Sequence, residues 1–301
     1  MKAVSIIGLG WLGLPLADLF IQKGYSVAGT TTRAEKLATI SNTSLTVKQF
    51  NLYNDLPDSL PADYFEDSAL ILNIPPGRKN FQSQEYQNKM LALIDYAMQK
   101  QLKQIVFIST TSVYGATKGT INNNTPLAPL TESAKAHVAI EKHLMSYYPE
   151  RACVIRPSGL VGPNHSLTNL AQAYRHPIYT LSQKEQLDSG TNPVNLVHQS
   201  DVLTAIAVAV DKGIVDICLN LSSASQASRR EYYTWCAKQL NLPAPNFSKE
   251  VHKNDENDNN KSPLAKTSNP APVYKVIDAS DSLEALGICL AYPSPFDMLP
   301  A

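Results

Sequence analysis

The sequence lacks a net charge of either sign: 26 lysines and arginines face 26 aspartates and glutamates, so no overall field draws it to nucleic acid or to an anionic membrane. It lacks any apolar run near the roughly 18 residues that a membrane span requires. Its first apolar stretch passes straight into a glycine loop, without the cleavage site of a secretory leader. Cysteine is scarce. Cys153, Cys218, Cys236 and Cys289 lie far apart with no CxxC spacing, so neither a disulfide framework nor a zinc site is expected, and the thiols read as reduced residues of a cytoplasmic protein. Six histidines are scattered without metal-ligand spacing. A further absence matters more: no tyrosine stands between Tyr114 and Tyr147.

What is there first bounds the architecture. A chain of 301 residues is long enough for one large α/β domain with a smaller lobe. AVSIIG at 3–8, YSVAGT at 25–30, TVKQFNL at 46–52, ALILNI at 69–74, QIVFIST at 104–110 and ACVIR at 152–156 are expected strands. Several are almost wholly apolar, as strands covered by helices on both faces are. Expected helices fill the gaps at 11–23, closed by Gly24, at 33–40, at 82–101, and at 133–147 ahead of Pro149. Within 82–101, Tyr86, Met90, Leu93, Ile94, Ala97 and Met98 share one face at helical spacing, which reads as a core stripe. The alternation predicts an α/β Rossmann fold, a doubly wound parallel sheet, over 1–163. Residues 164–301 read as a smaller C-terminal α/β substrate lobe interleaved with that core, with helices at 199–211, 228–240 and 280–286 and a strand at 214–221. Residues 249–272 are polar with almost nothing to bury and are expected to form a mobile insertion.

GLGWLG, Gly8 to Gly13, follows the first strand and opens the first helix, the context in which a GxGxxG loop signifies dinucleotide binding. Gly8 permits the turn and Gly10 lets a pyrophosphate approach the backbone. Gly13 lets the helix pack on the sheet with its amides facing the phosphates. Where an NAD site carries an acid about 20 residues on, this chain has Thr30, Thr31, Thr32 and Arg33. Hydroxyls and a guanidinium suit a 2′-phosphate, and no carboxylate opposes it, so NADP is expected ahead of NAD. A solvated arginine opening the next helix is the other reading of Arg33. The expected cofactor-binding set adds Trp11 and Leu12 in the loop and, around later strand ends, Asn51, Leu52, Ile74, Pro75, Pro76, Ser109, Arg156 and Pro157.

Taken alone, GLGWLGLPLADLFIQKGYSVAGTTTR resembles the opening of β-hydroxyacid dehydrogenases and ketopantoate-type reductases, but no Gly-rich helix with their catalytic lysine follows. Three later segments point elsewhere. ISTTSVYG at 108–115, IRPSGLVGP at 155–163 and NLVHQSDV at 195–202 resemble segments of the extended short-chain dehydrogenases/reductases, the group of NAD-dependent epimerases and dehydratases. The family patterns are Ser-Thr-x-x-Val-Tyr-Gly, Arg-x-x-x-hydrophobic-x-Gly-Pro and His-x-x-Asp-Val, in that order. The glycine loop is one residue shorter between its first two glycines than is usual there, and with WLGLPLA it resembles the YeeZ-type subgroup. The resemblance implies an NAD(P)-dependent oxidoreductase or epimerase. Its partner would be a nucleotide-sugar or similar hydroxylated small molecule, with no nucleic acid and no membrane, and its state a monomer or homodimer.

In that family a Tyr-x-x-x-Lys pair on the helix after the fifth strand moves the proton that accompanies hydride transfer, and a strand hydroxyl holds the substrate oxygen. Here those places fall on Ser133, His137 and Thr110. A serine hydroxyl is far too weak an acid to replace a phenol of unperturbed pKa about 10. Aligning on Lys135 puts Thr131 in the slot, which is no better. The candidate catalytic set is therefore Thr110, Ser133, His137 and Tyr114, the last as a substitute acid or as packing. His137 and Glu141, four apart, read as a surface pair rather than a metal site. His198 and Asp201 are expected to close the substrate lobe, with Asp201 or Ser200 capping helix 199–211. The reading opposed to an enzyme is a sensor or scaffold that holds NADP(H) without turning it over.

Overall fold

The computed structural model describes residues 2–37, 44–76, 82–164, 174–184, 186–188, 190–224, 227–248 and 274–300; the polar stretch at 249–272 lies outside the described residues. The strands are β1 (Ala3–Ile7), β2 (Ser26–Thr31), β3 (Leu45–Gln49), β4 (Ser68–Leu72), β5 (Gln104–Ile108), β6 (Gly119–Ile121), β7 (Ala152–Pro157), β8 (Gly159–Pro163), β9 (Tyr174–Arg175), β10 (Leu196–His198), β11 (Ile217–Leu221) and β12 (Lys275–Ile277). The helices are α1 (Gly13–Gln22), α2 (Ser83–Met98), α3 (Glu132–Tyr147), α4 (Ile178–Leu181), α5 (Gln199–Asp211), α6 (Arg229–Gln239) and α7 (Ser280–Leu286). Among the described residues no helix is long and apolar enough to cross a membrane.

Seven strands form one sheet in the order β11-β7-β5-β4-β1-β2-β3, every neighbouring pair parallel. The chain starts in the middle at β1, builds outward to β3, then returns to β4 on the other side of β1. That reversal makes the loops after β1 and β4 diverge over the carboxyl edge, where open α/β sheets hold their ligands. Side chains alternate across the sheet with the period of two that a strand imposes. Ile6, Val106 and Ile155 join Leu16 and Phe20 of α1 and Ile206 of α5 in one core. Ile7, Ile105, Phe107 and Val154 join Met90 of α2 and Ile140 of α3 in the other. The stripe read from 82–101 is the buried face of α2, residue for residue. The seventh strand, β11, and the helix α5 come from beyond residue 163, so the second half of the chain completes the Rossmann sheet.

Local pattern fails where backbone geometry intervenes. The helix expected at 33–40 is a single 3-10 turn, Ala34–Lys36, within the described residues. The strand expected from 214 begins only at Ile217, because Gly213 and Asp216 adopt φ of +62° and +57°, outside the extended region. TVKQFNL leaves the sheet after Gln49. There Asp55 accepts from the Asn51 amide at 2.6 Å and Asn51 Oδ1 from the Tyr53 amide at 3.1 Å, an Asx-type turn that aims Asn51 and Leu52 at the ligand edge. Two small sheets, β10-β8-β9 and β12-β6, have no counterpart among the expected elements, since a strand of three residues such as β6 or β12 is too short to register a period.

Candidate functional site

A cavity of about 430 Å³ lies at the switch point. Its walls are the glycine loop (Gly8, Leu9, Gly10, Trp11), the end of β2 (Thr30, Thr31, Thr32, Arg33), the turn at Phe50–Tyr53, and Asn73, Ile74 and Pro75 after β4. The glycines differ in purpose. Gly8 has φ +114°, and a Cβ there would come within 2.4 Å of the Asn73 carbonyl oxygen; at Gly13 a Cβ would sit 2.1 Å from the Gly8 carbonyl oxygen. Both are demanded by the fold. At Gly10 a Cβ would meet nothing within 4 Å, so the protein itself does not require this glycine and the space beside it suits a bound group. The amides of Trp11, Leu12 and Gly13 find no backbone acceptor among the described residues, and the first turn of α1 holds no acid. Such an end of a helix suits a pyrophosphate. The loop is pinned to β2 and β4. The Leu9 amide donates to the Thr30 carbonyl at 2.7 Å, the Gly8 amide to Thr30 Oγ1 at 3.1 Å, and Asn73 Nδ2 to the Gly8 carbonyl at 3.0 Å.

Thr30 is thereby committed to the loop, and Thr31 Oγ1 accepts from the Arg33 amide at 3.3 Å. The side chains of Thr32 and Arg33 stand exposed at the cavity wall, and no lining residue is a carboxylate. A second cavity of about 490 Å³ backs on to the same Phe50 and Leu52, but its other walls are Asp55, Leu56, Pro57 and the side of α2, with no residue of the glycine loop. The smaller cavity, not the larger, has the chemistry of a dinucleotide site.

Further along the same edge the structure closes. Arg156, at the end of β7, is buried. Its Nη2 donates to Glu141 Oε2 at 2.7 Å and its Nε to both carboxylate oxygens at 3.2 Å. Ser109 donates to the same carboxylate. Tyr114 accepts from Arg156 Nη1 at 2.7 Å and donates to Asn220 Oδ1 at 2.8 Å. Burial pushes the Tyr114 phenol above its ordinary pKa, outweighing the lowering pull of Arg156 and Asn220. Burial pulls the Arg156 pKa down, but the hydrogen bonds and charge of Glu141 outweigh it and hold the pKa above the ordinary arginine value.

This frame corrects several expectations. Glu141 and His137 are not a surface pair: both are buried, with Glu141 the counter-ion of Arg156. His137 stacks on Phe107 at 5.7 Å, its Nδ1–H donates to the Ser133 carbonyl at 2.8 Å, and burial lowers its pKa, which favours the neutral ring. Tyr114 has no exposed surface, and its oxygen is engaged by Arg156 and Asn220. Ser109, Arg156 and Pro157 likewise sit in buried strand ends rather than among the cavity's lining residues, and Leu12, Gly13 and Pro76 are not in the lining either. Gly8, Gly10, Trp11, Thr30, Thr31, Thr32, Arg33, Asn51, Leu52, Ile74 and Pro75 do line it. Thr110 caps the 3-10 turn Thr111–Tyr114, accepting from the Ser112 amide at 3.2 Å. Thr131 caps α3 in the same way, accepting from the Ala134 amide at 3.2 Å, with half-buried Ser133 in its first turn.

At the start of α5, His198, not Ser200 or Asp201, is the cap, its Nδ1 accepting from the Ser200 amide at 3.3 Å. Asp201 instead accepts from the amides of Ala291 and Tyr292 at 2.7 and 3.1 Å, and the His198 ring stacks on Tyr292 at 3.8 Å. Together they fasten Ala291 and Tyr292 to the start of α5. Burial pushes His198 and His176 down to about 4.

The NAD dependent epimerase/dehydratase family matches residues 4–218 of this chain. Protein YeeZ of Escherichia coli (strain K12) is 29% identical over 300 residues, covering 99% of this chain and 99% of that protein. Among solved structures, UDP-glucuronic acid 4-epimerase from Bacillus cereus in complex with NAD is similar at TM-score 0.73 and 17% identity, covering 99% of this chain and 95% of that one. dTDP-glucose 4,6-dehydratase from Bacillus anthracis str. Ames in complex with NAD is similar at TM-score 0.73 and 16% identity, covering 99% and 94%. At those identities the likeness shows the fold alone.

Proposed function

The chain belongs to the NAD dependent epimerase/dehydratase family, and from that membership we propose that it binds NADP(H) at the glycine loop and serves as an oxidoreductase- or epimerase-like protein for a nucleotide-sugar or similar hydroxylated small molecule. The observation that carries the reading is the open space at Gly10 in a cavity whose wall offers Thr32 and Arg33 but no carboxylate. Bound nicotinamide supplies a hydride donor or acceptor. The chain's own part is to hold the pyrophosphate on the amides of Trp11 to Gly13, to grip the 2′-phosphate with Thr32 and Arg33, and to steady a substrate oxygen at Thr110. The preference for NADP sets this chain apart from the relatives solved with NAD. Dinucleotide binding falls to residues 1–163 and substrate binding to the lobe formed by 164–301, in the cytoplasm.

Calorimetric titration tests the cofactor choice. NADPH should bind more tightly than NADH, and Arg33→Ala should cost NADPH about 1.5–3 kcal/mol, the loss of a charge-assisted contact, while leaving NADH nearly unchanged. Equal affinity for the two cofactors in the wild type sinks the reading.

A second reading has an observation of its own. With Ser133 in the tyrosine's place and the Tyr114 oxygen enclosed, neither of these two family-motif positions offers a phenol to trade a proton, which favours a protein that holds NADP(H) as a sensor. The discriminating measurement is hydride exchange between labelled NADPH and a panel of keto-sugars. Exchange gained in Ser133→Tyr from none in the wild type supports the sensor; robust wild-type exchange excludes it. A lysine is not restored at His137, where it would bury an ammonium between Phe107 and Tyr86.

A further inference from the structure

Asn51 lines the dinucleotide cavity, and the turn after β3 decides which of its two polar atoms a ligand can meet. A side-chain amide has one acceptor, the oxygen, and one donor group, the NH2. Here the oxygen is spent. Asn51 Oδ1 accepts from the Tyr53 amide at 3.1 Å. Because a backbone N–H can only donate, the atom facing Tyr53 has to be the oxygen, and Nδ2 is what remains. No described residue accepts a hydrogen bond from Nδ2. Among the described residues the buried side-chain polar atoms without a partner are Ser158 Oγ and Tyr179 Oη, so Asn51 Nδ2 is not sealed off.

Neighbouring acceptors are occupied by the protein in the same way. The Asn51 carbonyl accepts from the amides of Asn54 and Asp55 at 3.1 and 2.9 Å, and the Asp55 carboxylate from the Asn51 amide at 2.6 Å. After β4, the Ile74 carbonyl accepts from the Tyr86 hydroxyl at 2.7 Å. Leu52, Ile74 and Pro75 add apolar lining that suits a flat ring. With a pyrophosphate on the glycine loop and a 2′-phosphate at Thr32 and Arg33, the part of a dinucleotide left for the Asn51 turn is its purine. Asparagine ordinarily recognises adenine with both atoms, the oxygen accepting from the N6 amino group and the NH2 donating to N7. With Oδ1 withdrawn, only the second half of that recognition is available.

We propose that Asn51 meets the purine of the cofactor as a donor only, so that the cavity does not select adenine and accepts a 6-oxopurine dinucleotide at least as well. The inference rests on the proposed function, which brings the dinucleotide to this cavity. At C6 of adenine an amino group meets Nδ2 donor to donor, and one of the two is left without a partner. At C6 of hypoxanthine a carbonyl oxygen meets it as an acceptor, and N7 accepts in both bases. The Tyr53 hydroxyl can give or take a hydrogen bond and so does not by itself choose between them. Asn73 is held to the glycine loop, its Nδ2 donating to the Gly8 carbonyl at 3.0 Å.

The experiment uses the full chain and calorimetry with two matched pairs: NADPH and its hypoxanthine analogue deamino-NADPH, then NADH and deamino-NADH. In wild type the deamino member of each pair that binds should bind as tightly as its adenine partner, or more tightly. Asn51→Asp keeps an oxygen for the Tyr53 amide but turns the NH2 into a second acceptor. Its added charge weighs alike on both members of a pair, so their affinity ratio isolates the base. That ratio should move about tenfold towards adenine in the variant. A wild-type preference for adenine above about threefold overturns the proposal, as does a shift below about threefold in Asn51→Asp. If only the NADH pair binds, the NADP preference fails and the same ratios still decide the role of Asn51. A wild type that binds neither pair overturns the cofactor reading and this proposal together.

Discussion

One sheet edge carries two constructions. Around β1, β2 and β4 it is open, walled by backbone, hydroxyls and glycines, with no carboxylate in the lining. Around β5, β7 and β11 it is closed by Arg156 and Glu141, whose side chains are 5% and 2% exposed, with Ser109, Tyr114 and Asn220 completing the network. The difference teaches what each end can tolerate. Where the cradle offers empty space, as at Gly10, an alteration changes stability little and shows in ligand affinity. A buried ion pair has already given up its water, so losing one member strands the other in a medium that cannot solvate it.

The largest expected effect breaks the closed end. Glu141→Ala should destabilise the fold by about 3–5 kcal/mol in urea unfolding, because Arg156 is left buried and unpaired. Glu141→Leu with Arg156→Met should cost less than that single change, since no charge remains to be stranded. A single variant within about 1 kcal/mol of wild type contradicts the account of the frame.

Acid extends the comparison to the second half of the chain. His176 and His198 are pushed by burial from 6.5 down to about 4. Between those values the unfolded chain binds more protons than the folded one, so stability is full above pH 6.5 and falls as the pH drops towards 4. At pH 5 each contributes a loss of up to about 2 kcal/mol. Urea midpoints measured from pH 7 to 5 should fall, and fall less steeply in His198→Gln. An unchanged slope in that variant removes His198 from the explanation.

The smallest effects sharpen the open end, where two glycines of one motif should behave oppositely. Gly13→Ala puts a Cβ against the Gly8 carbonyl and should cost on the order of 1–3 kcal/mol of stability, the usual range for forced overpacking. Gly10→Ala should leave the unfolding midpoint alone yet weaken NADPH about tenfold, about 1.4 kcal/mol, because the added methyl takes the ligand's space and none of the protein's. Loss of stability at Gly10, or none at Gly13, reverses the assignment of the two.

Much of the open end is legible in the amino-acid sequence. A glycine loop between a strand and a helix is a local signature, and Gly8, Gly10, Trp11, Thr30 to Arg33, Asn51, Leu52, Ile74 and Pro75 follow from it and from where strands end. The closed end is not legible there. The spacing of His137 and Glu141 says they share a helix face, not that this face lies against β5 and β7; the same spacing on an exposed face gives a solvated pair. Nor can Ser200 or Asp201 be separated from His198 as the cap of α5, because the choice depends on Asp201 being drawn away by the amides of Ala291 and Tyr292.

By itself the sequence determined the elements and their kind: the alternation of strands and helices, the buried stripe of α2, the turn that Gly8 makes and the missing tyrosine at Ser133. Those are properties of period, backbone freedom and residue identity, all confined to a few neighbouring positions. Only the tertiary structure decided that Glu141 meets Arg156, fifteen residues on, that Tyr114 meets Asn220 across 106 residues, that β12 pairs with β6, and that Trp11 leans on Pro163 with Arg175 above it. These contacts are set by the order of strands in the sheet, which brings distant segments side by side. Their energies come from burial, which no single stretch of chain can impose on itself.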